Sequence, residues 1–164
     1  MLKLKQHTPG FTIVELLIVI VVIGILAAIT IVSFNGVQSK ARDTLRQSNV
    51  NSIAKSLELY YIEKGTYPDY GFQMESLSWT ASTLKLPSSV VIAPGDQPDT
   101  GYTSFYNGTD ATSNADIKKY GYYNRGGTRA APTSCPTSGC TFFNIYWYSE
   151  SKSAWQIVQS KNGG

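Results

Sequence analysis

From Phe11 to Val32 the chain reads FTIVELLIVIVVIGILAAITIV, an apolar run interrupted by one carboxylate, Glu15. About 20 consecutive apolar residues suffice to cross a bilayer as a helix, and in lipid a lone helix is the form that satisfies its own backbone. A carboxylate inside such a helix costs roughly 2.5 to 3.5 kcal/mol, so it calls for a partner that neutralises it. No Lys or Arg lies near enough in sequence to serve. Cleavage after Gly10 would supply one. The new α-amine of Phe11 would stand four residues before Glu15, on the same helix face, or would meet the Glu15 of a neighbouring subunit packed alongside.

The residues around this junction are specific. A short basic leader, MLKLKQHTPG, runs into G-F-T-x-x-E-L-L at the head of the long apolar helix. This resembles the class III signal of type IV pilins and pseudopilins. The resemblance implies that a membrane prepilin peptidase cuts between Gly10 and Phe11 and methylates the Phe11 amine. It also implies that Glu15 guides an incoming subunit by attraction to the terminal amine of one already in the fibre. An ordinary secretory signal has an apolar stretch of about 7 to 15 residues ending at a small-x-small site, and this run is longer and carries an acid. A simple membrane anchor fits the length but accounts for neither Glu15 nor the Gly10-Phe11 junction.

Length and composition leave room for one modest globular domain beside the membrane helix: 164 residues, 42% of them apolar. The formal charge of +3 includes Lys3 and Lys5 of the leader, so +3 less 2 leaves +1 without it. From Gly65 onward seven basic and seven acidic side chains balance, which does not support a general nucleic-acid surface. A local cluster of Lys118, Lys119, Arg125 and Arg129 reads as solvated strand ends and loop. Lys3 and Lys5 follow the positive-inside rule, placing the N-terminus in the cytoplasm and everything after about Asn35 outside.

Within the apolar run Gly24 and Ala28 form a small-xxx-small pair that suits close helix approach. Many pilins carry a proline where this chain has Val32; Ser33, Asn35 and Gly36 offer a softer weak point instead, since a helical Gly costs about 1 kcal/mol relative to Ala. Beyond Gly36, Val37, Ala41, Leu45, Val50, Ile53, Leu57 and Tyr60 or Tyr61 recur at mostly three- or four-residue spacing, interleaved with Lys40, Arg42, Asp43, Arg46, Lys55 and Glu58. Lys64 and Gly65 give a stop, with Pro68 beyond. The segment LELYYIEKGTYP again resembles the end of the long helix in pilins and pseudopilins, so the resemblance covers residues 1 to about 68 well and the remainder only in architecture.

After the helix, MESLSWTASTLKL suggests short helices around Met74–Leu77 and Ala81–Leu84. Residues 94–116 read as loop, with TSFYN a short strand inside it. Asp96, Asp99, Asp110 and Asp116 are available oxygen ligands, but their spacing matches no 12-residue calcium loop, so no metal is assigned. Asn107-Gly108-Thr109 is a weak N-glycosylation match. KYGYYNR, TFFNIYWYS and AWQIVQS read as strands, Phe143, Ile145 and Trp147 alternating with Asn144, Tyr146 and Tyr148, and SESKS closing a hairpin.

Cys135 and Cys140 flank PTSG, and an oxidising exterior permits them to pair. A zinc site would need further ligands, and His7, the one histidine, leaves with the leader. Eleven tyrosines raise carbohydrate stacking, although tyrosine equally suits half-buried strands and subunit interfaces. No nucleophile elbow, phosphate loop or paired carboxylates at a recognisable spacing is present, so no catalytic residue and no cofactor is assigned.

The expectation is an α+β pilin fold in which one long N-terminal helix packs on a small antiparallel sheet of three or four strands. Its parts are a leader (1–10), a transmembrane half-helix (11–34), an amphipathic half-helix (35–64) and a β-rich head (65–164). The function expected from the resemblance is a structural subunit of a type IV pilus, with a pseudopilin of a type II secretion system as the alternative and a non-polymerising membrane-tethered binding protein behind both. Partners would be other copies and other pilins, the prepilin peptidase, the assembly machinery and the membrane.

Overall fold

The computed structural model describes residues 10–70, 72–107, 117–127, 132–133, 135 and 139–162. Contacts divide the chain into two units, residues 1–38 and 39–164. Helix α1, Ile13–Lys64, supplies the described part of the first unit and the opening of the second.

In the first unit the helix is apolar on every side, and its large side chains, from Ile13 (86% exposed) to Phe34 (66%), touch nothing that buries them. A helix of this composition is stable only in an apolar surrounding. This is also the one helix among the described residues that is long and apolar enough to cross a membrane. Helical structure continues through residues 30–36, where a weak point was expected. Thr30 Oγ1 donates to the carbonyls of Leu26 and Ala27, both at 2.9 Å, so its hydroxyl is satisfied within the helix.

In the second unit residues 39–64 of α1, about seven turns at 3.6 residues per turn, cover one face of a sheet. Val50, Ile53 and Leu57 are fully buried against Met74, Val91, Tyr120, Tyr122, Phe143, Ile145 and Trp147. Each such aliphatic side chain contributes about 1.5 to 3 kcal/mol by leaving water. The buried stripe does not continue as the sequence suggested, however. Leu45 is half exposed and Ala41 exposed, while Asp43 (7%) and Arg46 (2%) face inward. The stripe runs 43, 46, 49/50, 53, 57 and is polar at its upper end. Gly65 ends the helix at φ 74°, its N–H reaching the Tyr61 carbonyl at 2.7 Å, as the Lys64-Gly65 stop implied.

Three short helices follow: α2 (Phe72–Glu75), α3 (Leu77–Thr83) and α4 (Ser88–Val91). Ser76 caps α3 by accepting the Trp79 N–H, so the segment divides at residue 76 and not, as expected, between Leu77 and Ala81. The third helix, α4, was not foreseen, being one turn that rests on the burial of Val91.

The sheet contains β1 (Phe105–Asn107), β2 (Tyr120–Gly127), β4 (Phe142–Ser149) and β5 (Ala154–Gln159) in the order β1-β2-β4-β5, with β3 (Pro132–Thr133) paired on the far end of β2. β2, β4 and β5 form the antiparallel meander read from the sequence, in registers such as Tyr122↔Ile145 and Ile145↔Val158. The TSFYN strand is real but pairs parallel to β2. Alternation puts Phe143, Ile145 and Trp147 on the helix side.

Candidate functional site

Two places concentrate polar chemistry: the start of α1 and the tie between α1 and the β4–β5 hairpin.

At the start, Gly10 and Phe11 (87% exposed) precede the helix. The Thr12 Oγ1 atom accepts the Glu15 N–H at 3.3 Å, and Glu15 Oε2 accepts both the Thr12 N–H (2.8 Å) and the Thr12 hydroxyl (2.7 Å). This is a reciprocal capping box, which satisfies two of the amide donors that every helix start leaves over. The acid also sits at the positive end of the helix dipole. In the uncut chain, then, the Glu15 carboxylate has a partner of its own. The T-x-x-E pattern that forms this cap is written in the sequence at Thr12 and Glu15. Gly24 stands clear of every neighbour, a Cβ there meeting nothing within 4 Å, so the small-xxx-small face with Ala28 lies open.

At the second place Asp43 accepts four hydrogen bonds from the hairpin turn: Glu150 N (2.8 Å), Ser151 N (2.9 Å), Ser151 Oγ (2.6 Å) and Ser149 Oγ (2.8 Å). Burial alone would raise its pKa, but the Ser151 hydroxyl and N–H, the Glu150 N–H and the Ser149 hydroxyl outweigh it and hold the carboxyl at about 2. The Glu150 carboxylate in turn is gripped by Arg42 (Nη2 to Oε2, 2.5 Å) and Arg46 (Nη1 to Oε1, 2.6 Å), and Arg46 Nη2 also donates to the Pro94 carbonyl at 2.9 Å. These hydrogen bonds, Arg42's first, lower the Glu150 pKa.

The cysteines are joined, Cys135 to Cys140, at an S–S distance of 1.98 Å. The Cys140 carbonyl receives the Tyr67 N–H (3.0 Å) and the Thr66 hydroxyl (3.1 Å), and Asn124 Nδ2 reaches both Cys140 Sγ and the Pro68 carbonyl at 3.0 Å. The bridge therefore closes over the chain where it leaves α1. Asp69 lies beside the two sulfurs, which as a disulfide are not thiolate ligands. Of the other residues singled out in the sequence, the leader up to Pro9, Asp110, Asp116, Arg129 and the Gly108-Thr109 part of the glycosylation triplet lie outside the described residues. The other three members of the basic cluster are exposed or half exposed: Lys118, Lys119 and Arg125.

Residues 7–31 match a family described as the prokaryotic N-terminal methylation motif. The type IV wide pilus major component PilA4 of Thermus thermophilus is 33% identical over 54% of this chain and 67% of its own length. The chain belongs to the type IV pilin and pseudopilin family. Two further members of that family are similar to it. The type II secretion system core protein G of Pseudomonas aeruginosa is 29% identical over 44% of this chain and 51% of its own. The type IV major pilin protein PilA of Myxococcus xanthus is 36% identical over 42% of this chain and 31% of its own. The pilin-like chain thus spans two thirds of the first relative and about half or less of the other two. No solved structure matches it significantly. A long apolar N-terminal helix that fits membrane anchoring, and a helix-on-sheet head, are what this pilin-family chain contributes from its own residues.

Proposed function

We propose that the chain is a structural subunit of a type IV pilus: inserted with its leader inside, cut between Gly10 and Phe11, methylated at Phe11, and drawn into a helical filament. The observation that carries this is the first unit, an apolar helix exposed on every side whose single carboxylate stands in its first turn, inside the matched methylation motif. Such a helix has two stable surroundings, lipid before assembly and its own copies after. Cleavage turns the amide nitrogen of Phe11 into a cationic α-amine, and the α-amine of an adjacent subunit then competes with Thr12 for Glu15. An incoming subunit exchanges a capping hydrogen bond for an ion pair in a low dielectric, where such a pair is stronger than in water. The head, including its disulfide, would lie outside the membrane. The role is one of packing, with no chemistry catalysed by this chain.

A second reading, a pseudopilin of a type II secretion system, is favoured by the similarity to core protein G. The two separate in one experiment. Cells are sheared, surface filaments collected, and the intact mass of the protein taken there and in membranes. A mass for Phe11–Gly164 plus one methyl group, less two hydrogens, as the main filament species supports the pilus reading. The same mass confined to membranes supports the pseudopilin, and an uncut chain in both overturns the processing. Gly10→Ala should retain the precursor; Glu15→Ala should be cut but fail to join fibres.

A further inference from the structure

The structure sorts the eleven tyrosines into groups with different surroundings. Tyr67, Tyr120 and Tyr122 are fully buried, and Tyr60, Tyr61 and Tyr70 pack against the core. Tyr102 is exposed at the loop after α4. The remaining four, Tyr106, Tyr123, Tyr146 and Tyr148, stand half-buried on the sheet face opposite α1. There they contribute little to the core described above.

On that face Gly121 makes room for a ring. A Cβ at Gly121 would lie 2.9 Å from Tyr106 Oη and 3.2 Å from Tyr146 Cβ, so Tyr106 lies across the bare backbone of β2 beside Tyr146. Along β4, Tyr148 meets Trp155 of β5 edge to face at 5.5 Å. On β2 the Arg125 guanidinium sits 4.8 Å from the centre of the Tyr123 ring. Asn144, 8% exposed, lies among these rings; its Nδ2 reaches the Tyr146 hydroxyl at 3.4 Å, and its Oδ1 is buried with no partner among the described residues. Every second residue of β2, β4 and β5 on this side is aromatic, amide, basic or glycine except Ile157, and none is acidic. Lys119, immediately before β2, continues the alternation at one end and Arg125 closes it at the other, roughly 20 Å apart at 3.3 Å per residue.

We propose that this face binds an acidic polysaccharide. Pyranose rings stack by their C–H faces on the Tyr106/Tyr146 and Tyr148/Trp155 pairs, and carboxylates along the chain meet Arg125 and Lys119. The charge pattern selects this occupant. Two separated cations with no carboxylate between them suit a polymer of widely spaced charges. Single-stranded DNA, which has the same appetite for aromatic faces, needs its phosphates neutralised continuously, and a head with balanced charge does not provide that. A hydrophobic protein partner would find one aliphatic side chain.

The test uses the full-length chain in detergent micelles. Polygalacturonate, dextran and an oligothymidylate are titrated by calorimetry, with thermal melting of every variant as control. Polygalacturonate is expected to bind, more weakly as salt rises, and dextran much less. Trp155→Thr should weaken binding tenfold or more while Trp155→Phe retains it, and Arg125→Gln, at a half-exposed site, should weaken it several-fold without altering the melt. Absence of polygalacturonate binding, equal binding of dextran, tighter binding of oligothymidylate, or an Arg125→Gln variant that binds like the parent would each overturn the proposal.

Discussion

Replacing Asp43 by Asn removes the charge that organises the β4–β5 turn while keeping the shape of the side chain. The pKa near 2, against an ordinary value of 3.8, means that folding favours the ionised form by roughly 2 to 3 kcal/mol. An amide is worse than a neutral acid here. One of its two heteroatoms is a donor, and it would face the N–H groups and hydroxyls of Ser149, Glu150 and Ser151. The expected cost at pH 7 is therefore about 3 kcal/mol, which for a head of this size lowers the melting temperature by about 10 °C. Tryptophan fluorescence from Trp147 and Trp155 reports the transition. The pH dependence is the sharper assay. A depressed carboxylate pKa stabilises the fold above the unfolded value and loses that contribution as pH falls through the folded one. The parent should forfeit its advantage over Asp43→Asn between about pH 4 and pH 2. A gap smaller than about 0.5 kcal/mol at pH 7, or one that stays constant down to pH 2, would refute the reasoning.

The neighbouring cations should behave unequally. Arg46→Leu, which leaves the Pro94 carbonyl and part of Glu150 unpaired in a buried site, should cost about 3 kcal/mol, whereas Arg42→Leu, a third exposed, should cost under about 1 kcal/mol in denaturant titration. Gly139→Ala meets both a φ of 105° and a clash with the Thr66 side chain, so it should lower the melting temperature distinctly, and a Thr66→Gly background should recover only the part due to the clash. Replacing both Cys135 and Cys140 by Ser should cost about 2 kcal/mol, the small value expected for so short a loop. Thr12→Val should cost the start of α1 about 1 kcal/mol, seen as faster amide exchange over residues 13–16 in micelles.

The apolar half of α1 was legible because its constraint is one-dimensional: a run of apolar residues carries the message without any partner. The meander was legible for a related reason, since period-two alternation in TFFNIYWYS survives wherever one sheet face is buried. Reading failed where the partner was remote. Arg42, Asp43 and Arg46 looked like the solvated side of an amphipathic helix, because nothing in positions 40–50 announces a turn at 149–151 that would receive them. The apolar phase was consequently drawn through Ala41 and Leu45, which point outward. The same limit applies to β1, whose short strand was visible but whose parallel pairing with β2 depends on a connection that periodicity does not describe. Thr12 was a different kind of miss: a local motif fully written in the sequence.

The clamp at Asp43 has a mechanical meaning. A subunit held by its helix and loaded through its head must pass force from one to the other. Beyond the apolar contacts of Val50, Ile53 and Leu57, that passage runs through Asp43, Arg42 and Arg46 into the last residue of β4 and the turn after it, with Asn49 and Glu58 adding further hydrogen bonds to the head. These links share the load rather than taking it in series, so the head should stay whole under a pull until several charge-assisted bonds fail together, and should soften in acid.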